Sequence, residues 1–272
     1  MTIYPPFRDP TLLVAMQANG SLLMNADQYL FTILRRETVD TSVAQAVLNT
    51  LRPIIMSWAN QYLAGIAPSG SFAKGTAIKS GTDIDLFISL KPETGETLRE
   101  IYHSLRRRMQ DVGLSPNVQN VSINVRVGSH SVDLVPGKRQ NNLSTDHSLY
   151  RRRQDTWAQT NVLKHIQYVR NANRLQETRI IKLWRNQKGL DFPSFYLEMA
   201  VIAALSGTRS GNLSGNVLRV LEYLRDTFVN ARFVDPANTN NFISDDLNMA
   251  ERVAIQRAAT AALGRTWGDL VS

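Results

Sequence analysis

The segment that most restricts how this chain can fold is Asp83–Leu90, DIDLFISL. Its branched and aromatic residues, stopped by Pro92, read as a β-strand. Side chains two apart on a strand point the same way, so Asp83 and Asp85 share a face. Two like charges at that spacing repel unless something cationic lies between them. Acids that simply face water are the plain reading of an isolated Asp-x-Asp. Here a Gly-containing stretch, SGSFAKGTAIKSG, precedes the pair, and a third acid, Asp133 in SVDLVP, follows on a later strand.

The flanking periodicity frames that strand. Val43, Val47, Leu51, Ile54, Trp58 and Tyr62 recur at helical spacing, with N-cap oxygens available from Asp40, Thr41 and Ser42. Leu98, Ile101, Tyr102, Leu105, Met109 and Val112 mark a second amphipathic helix. Val118–Val127 and Ser131–Val135, separated by Gly128, read as an antiparallel hairpin. A short helix is expected around Gln28–Arg35. After Pro136 the pattern reads as helical throughout, with helices near 159–173, 175–188, 194–206, 214–231 and 245–263. The expected architecture is α+β: a mixed-sheet lobe over 1–140, a helical lobe over 141–272, Lys138–Asn142 as linker, and a cleft between the lobes.

Charge and composition narrow the chemistry. The 272 residues carry 31 Lys and Arg against 23 Asp and Glu, a net charge of +8 that suits polyanionic partners. The absence of cysteine excludes disulfides, thiolate zinc sites and cysteine nucleophiles. No apolar run is long enough to span a membrane, and MTIYPPFRDP has no signal-peptide pattern, so a cytoplasmic protein is expected. Arginines cluster at Arg35–Arg36, Arg106–Arg108 and Arg151–Arg153, and residues 145–190 hold ten Lys and Arg against three Asp and Glu. That excess implies a basic helical face for nucleotide phosphates or an RNA strand, against the plainer reading of solvated helix faces.

Three carboxylates gathered from two strands suit two divalent cations, Mg²⁺ or Mn²⁺, spaced about 3.5–4 Å apart for phosphoryl transfer. Gly70-Ser71 supplies a turn with backbone N–H groups and a hydroxyl suited to a triphosphate. The order of parts, GSFAKGTAIKSGTDIDLFI followed by SVDLVP, resembles the signature of the DNA polymerase β-type nucleotidyltransferases. Within that superfamily it looks like the template-independent members: bacterial CD-NTases, 2′–5′-oligoadenylate synthetases and archaeal CCA-adding enzymes. TNVLKHIQYV, RIIKLWRNQKG, FPSFYLEMAV and DPANTNNF resemble blocks of their helical part.

The resemblance implies a polymerase β-like core with a C-terminal helical lobe and a nucleoside triphosphate, ATP foremost, in the cleft. It implies that Asp83, Asp85 and Asp133 bind the metals, and that Asp133 assists deprotonation of the attacking hydroxyl. Gly70, Ser71, Lys182 and Ser194 are implied as triphosphate contacts. Tyr196 or Phe195 is a candidate for base stacking, and for Tyr196 a core position is at least an equal reading. The implied activity joins NTPs into a cyclic or linear oligonucleotide signal of the bacterial antiviral type, releasing pyrophosphate. Addition to an RNA or tRNA 3′ end is the alternative.

Overall fold

The computed structural model of the protein describes residues 25–81, 83–208 and 212–272. The N-terminal decapeptide read above for a signal lies outside them. The described chain divides into two compact units, a sheet unit of Val39–Asn173 plus Val234–Phe242 and a helical unit of the other described residues.

In the sheet unit, α2 (Ser42–Ala59) leads into β1 (Leu63–Pro68), the short helix α3 (Gly70–Lys74) and β2 (Ile84–Leu90). Helix α4 (Leu98–Asp111), β3 (Asn117–Val118), β4 (Ile123–Val127) and β5 (His130–Arg139) follow. The strand order is β1-β2-β5-β4-β3. β2 and β5 are parallel and all the other pairs in this sheet are antiparallel. The predicted β4–β5 hairpin is present, with Val127 opposite His130 around Gly128.

Alternation divides β2 between two faces. Ile84, Leu86, Ile88 and Leu90 join Val132 and Leu134 of β5 in one buried cluster with Val47, Leu51 and Ile55 of α2 and Ile101, Leu105 and Met109 of α4. Asp85, Phe87 and Ser89 therefore project from the opposite face. Helix α4 starts on a capping box, with Thr97 Oγ1 accepting from the Glu100 backbone N–H and Glu100 Oε2 accepting from that of Thr97.

The expected all-helical stretch after Pro136 is corrected here. β5 runs through Pro136 to Arg139, and β6 (His147–Arg151) and β7 (Thr156–Thr160) extend the sheet before α5 (Val162–Asn171). Leu149 and Tyr150 of β6 are buried, which commits this segment to the sheet unit. The boundary expected near residue 140, and the linker over Lys138–Asn142, give way to a crossing at Asn173/Arg174. Arg151–Arg153 accordingly sit at the end of β6 and in the following turn, not on a helix. DPANTNNF, which falls in the stretch read as helical, forms the hairpin β8 (Val234–Asp235) and β9 (Asn238–Phe242) of the sheet unit.

The helical unit holds α1 (Ala26–Arg36), α6 (Leu175–Gln187), α7 (Ser194–Ala204), α8 (Leu213–Asp226), α9 (Met249–Ala262) and the C-terminal turn α10 (Trp267–Leu270). Helix α1 was expected with the sheet, but its polar groups are tied into this unit. Asp27 accepts from the Ser214 N–H at 2.7 Å, and Arg179 caps the last turn of α1 through the carbonyls of Leu34 and Glu37, each at 3.0 Å.

The core of the helical unit contains Trp184, Tyr196 and Phe228, with a buried ion pair beside it, Lys182 Nζ to Glu198 Oε1 at 2.7 Å. Removing one partner of a buried pair costs far more than an exposed pair contributes. Glu198→Ala is expected to lower stability by about 3–5 kcal/mol, read as a reduced urea midpoint. Glu198→Gln, which keeps an acceptor for Lys182, should lose less.

Candidate active site

The two parallel central strands set the site. Asp85 of β2 is the register partner of Asp133 of β5, in a ladder running unbroken from Ile84↔Val132 to Leu90↔Lys138. Paired residues on neighbouring strands lie about 4.8 Å apart and project to the same side. The sheet therefore holds these two carboxylates side by side with no loop involved. Asp83 immediately precedes β2 and is exposed.

Gly70 closes the site as the first residue of α3. Its φ of +55° is one that L side chains rarely adopt. A Cβ built there would lie 1.8 Å from Oδ2 of Asp85, so the backbone lies directly against that carboxylate. The Ser69 N–H donates to the Asp85 carbonyl at 2.7 Å, and the Thr76 N–H returns to the Ser71 carbonyl at 3.0 Å. These bonds fix Ser71 in a turn beside Asp85. Gly70 thus lies directly against Asp85, with Ser71 next to it in the chain.

Asp133 is further constrained by groups that the sequence reading did not single out. Asn124 Nδ2 and Gln119 Nε2 both donate to its Oδ1, at 2.8 and 3.1 Å. Asn124 is the cross-strand partner of Asp133. An amide among the apolar residues of INVRV, registered through the predicted hairpin, was the available signal. Burial raises the Asp133 carboxyl above the ordinary carboxylate range, the Asn124 hydrogen bond opposes that rise, and the charge of Asp83 adds to it. This is the electrostatic state that a cation would relieve.

The donor set fits a hard divalent ion: carboxylate oxygens on one face, one of them crowded by another's charge. Among the described residues no three acidic or histidine side chains are drawn together closely enough to hold an ion unaided. The protein thus offers part of a coordination shell, as suits Mg²⁺, which usually takes one or two carboxylates together with substrate phosphates.

The candidates on the helical unit fare differently. Ser194 is exposed at the start of α7, where its Oγ accepts from Arg185 Nη1 at 3.0 Å. Lys182 is only 2% exposed and its ammonium meets Glu198, so this contact competes with the expected phosphate role. Tyr196 is corrected from a stacking candidate to a core residue. It is fully buried, with ring contacts to Phe192, Phe228 and Phe233 at centroid distances of 5.5, 5.0 and 5.2 Å. Burial pushes its phenol up to about 12.

His165 of α5 and the Asp235 hairpin also come together. His165 Nε2 meets Asp235 Oδ1 at 2.7 Å, and Asn241 and the Ala237 N–H satisfy the same carboxylate. These bonds give His165 a structural role and anchor the hairpin formed by DPANTNNF.

Comparison with known proteins agrees with this geometry. Residues 54–154 match the family model described as nucleotidyltransferase domain. A cyclic AMP-AMP-AMP synthase of Escherichia coli (strain MS 115-1) is 23% identical over 77% of this chain and 73% of its own. The E. coli MS115-1 CdnC:HORMA-deltaN complex aligns with TM-score 0.66 and 23% identity over 81% of each chain. The CD-NTase CdnG of Bradyrhizobium diazoefficiens, in complex with GTP, aligns with TM-score 0.73 and 14% identity over 86% of this chain and 89% of that one.

Asp133 combines functional placement with an energetic cost, which leads to a paired expectation. Its pKa is raised on folding, so the ionised carboxylate at neutral pH opposes the folded state. Asp133→Asn, which still accepts from Asn124 and Gln119, should keep or raise the melting temperature. It should lower nucleotidyl transfer by about a hundredfold or more, as loss of a charge-stabilising contact does. Retention of more than about a tenth of the turnover in a folded variant would remove Asp133 from the chemistry. Residues 54–154 are a nucleotidyltransferase domain within a chain that has the fold of the CD-NTases, and the protein is a nucleotidyltransferase.

Proposed function

We propose that this nucleotidyltransferase joins nucleoside triphosphates, ATP foremost, into a short cyclic or linear oligonucleotide that serves as a signal in antiviral defence. The observation that carries the reading is the in-register pair Asp85 and Asp133 with Gly70 against Asp85, in a chain similar over 77% of its length to a cyclic AMP-AMP-AMP synthase.

Asp83, Asp85 and Asp133 are the residues that would hold two Mg²⁺ or Mn²⁺ ions, whose charge stabilises the attacking and leaving oxygens of an in-line displacement. The turn at Gly70-Ser71 binds the triphosphate through its hydroxyl and backbone N–H groups. The acceptor hydroxyl attacks the α-phosphorus, and pyrophosphate leaves. Asp133, whose carboxylate is raised in pKa and held through one oxygen by two amides, is suited to take the hydroxyl proton. Ser194, exposed and able to donate, is the favoured phosphate contact on the helical unit.

One surface favours a nucleic-acid ligand in addition. Arg99, Arg106 and Arg107 of α4 and Arg152 after β6 all lower the pKa of His103, behind its burial as the main cause, so positive charge from two separate elements gathers there. Lys and Arg read phosphate and not sequence, so this surface supports an RNA or another polyanion as readily as additional nucleotides. Neutralising Arg151, Arg152 and Arg153 together should weaken RNA binding and make its salt dependence shallower. An unchanged salt slope would return the cluster to solvent.

The product test is direct. The protein is incubated with labelled NTPs and Mg²⁺ or Mn²⁺, with and without RNA, and the products are separated after phosphatase treatment. The expected result is a free oligonucleotide, phosphatase-resistant if cyclic. Incorporation solely onto the 3′ end of tRNA lacking CCA, under every metal and RNA condition, would replace this reading with RNA end addition.

A further inference from the structure

The face of the sheet that carries Asp85 and Asp133 continues into a second feature that the transfer chemistry does not use. Four residues beyond Asp85, about 13 Å along the strand, Ser89 borders a cavity of about 250 Å³ lying wholly within the sheet unit. Its apolar wall includes Phe87 of β2 with Val162, Leu163 and Ile166 of α5. Small residues make the room. A Cβ added to Gly65 in β1 would meet nothing within 4 Å. At Gly137 in β5 it would strike the Phe87 ring at 2.6 Å, so glycine lets that ring lie over the strand.

The polar side of the cavity is a single relay. The Thr145 carbonyl lies 2.9 Å from His147 Nδ1 and can only accept, so Nδ1 carries the proton. His147 Nε2 then accepts from Ser89 Oγ at 2.8 Å, and Ser89 Oγ accepts from Arg139 Nε at 3.2 Å. His147 is 5% exposed and burial lowers its pKa, so the imidazole is neutral in this chain of bonds. The relay holds the Arg139 guanidinium by Nε and leaves its two Nη groups without a hydrogen bond among the described residues. Among the described residues no acid lines the cavity. Asp146, next to His147 in sequence, is engaged by Asn161 at 2.8 Å and Lys164 at 3.8 Å.

A guanidinium anchored at one edge, facing apolar walls with no carboxylate of its own, is complementary to one negative charge on an apolar body. We propose that this cavity is a binding site for a small amphipathic monocarboxylate, with a single ring or short chain against Phe87 and α5 and its carboxylate paired with Arg139. A phosphate monoester would bring a second negative charge against one cation and a neutral histidine, and is disfavoured.

The test uses the full chain and 3-phenylpropionate as probe, with 3-phenylpropan-1-ol as its uncharged counterpart, followed by calorimetry. The acid is expected to bind, and at least about tenfold more tightly than the alcohol. Arg139→Met should remove that preference while leaving the weaker alcohol binding, and Gly65→Leu, which fills the cavity, should abolish both. If Gly65→Leu does not fold, the Arg139→Met comparison carries the test alone. The proposal fails if the acid gives no binding at 10 mM (roughly the weak limit for so few atoms), if acid and alcohol bind equally, if Arg139→Met leaves the preference intact, or if ATP displaces the probe.

Discussion

The parallel pairing of β2 with β5 is the constraint on which the sheet unit depends. It carries seven consecutive register partners, from Ile84 opposite Val132 to Leu90 opposite Lys138. A slip of one residue would turn Ile84, Leu86, Ile88 and Leu90 out of the core and bring Asp85 into it, so burial and catalysis enforce the same register. Parallel strands need a long crossover, and α4 with β3 and β4 supplies it while its apolar face completes the core. The placement of the two carboxylates is therefore a by-product of hydrophobic packing on the other side of the sheet.

The functional face carries costs that its partner face does not. Asp133 is buried near the charge of Asp83, and Gly70 adopts a left-handed backbone conformation against Asp85. The buried Asp133 charge opposes folding in the isolated protein, glycine takes up its conformation without strain, and both suit a site completed by cations and phosphates. Farther along the same face the side chains change character, from carboxylates to Phe87, Ser89, Arg139 and His147, and the space above them is held open by glycine. The helical unit is stabilised differently, by an aromatic core and by buried pairs such as Lys182–Glu198.

Much of this was legible because the signals are local and periodic. The strand at DIDLFISL, the helices at 42–59 and 98–111 and the hairpin around Gly128 follow from apolar spacing and turn residues, and each is present. The strands β6 and β7 were not legible. HSLYR and TWAQT are five residues each, polar in part, and joined through an arginine run that reads as solvent-facing. What makes them strands is the partner offered by the end of β5, which local propensity does not contain. Tyr196 presents the same problem in reverse. Its position in FPSFYLE is compatible with a ligand or a core, and its contacts with Phe192, Phe228 and Phe233 decide for the core.

By itself the sequence determined that two acids would open an apolar strand after a glycine turn, and that a third would stand on a later strand. Those facts depend on alternation along one chain segment, and short-range geometry suffices for them. Only the tertiary structure decided that Asp85 and Asp133 are direct neighbours, that Asn124 and Gln119 hold the latter, and that Gly70 touches the former. It also decided where the units divide, since the Val234–Phe242 hairpin belongs to the sheet unit through contacts such as Asp235 with His165, seventy residues apart in the chain. Pairings at such separations are chosen by what each segment can bury and satisfy once the whole chain is folded, and no local pattern encodes that choice.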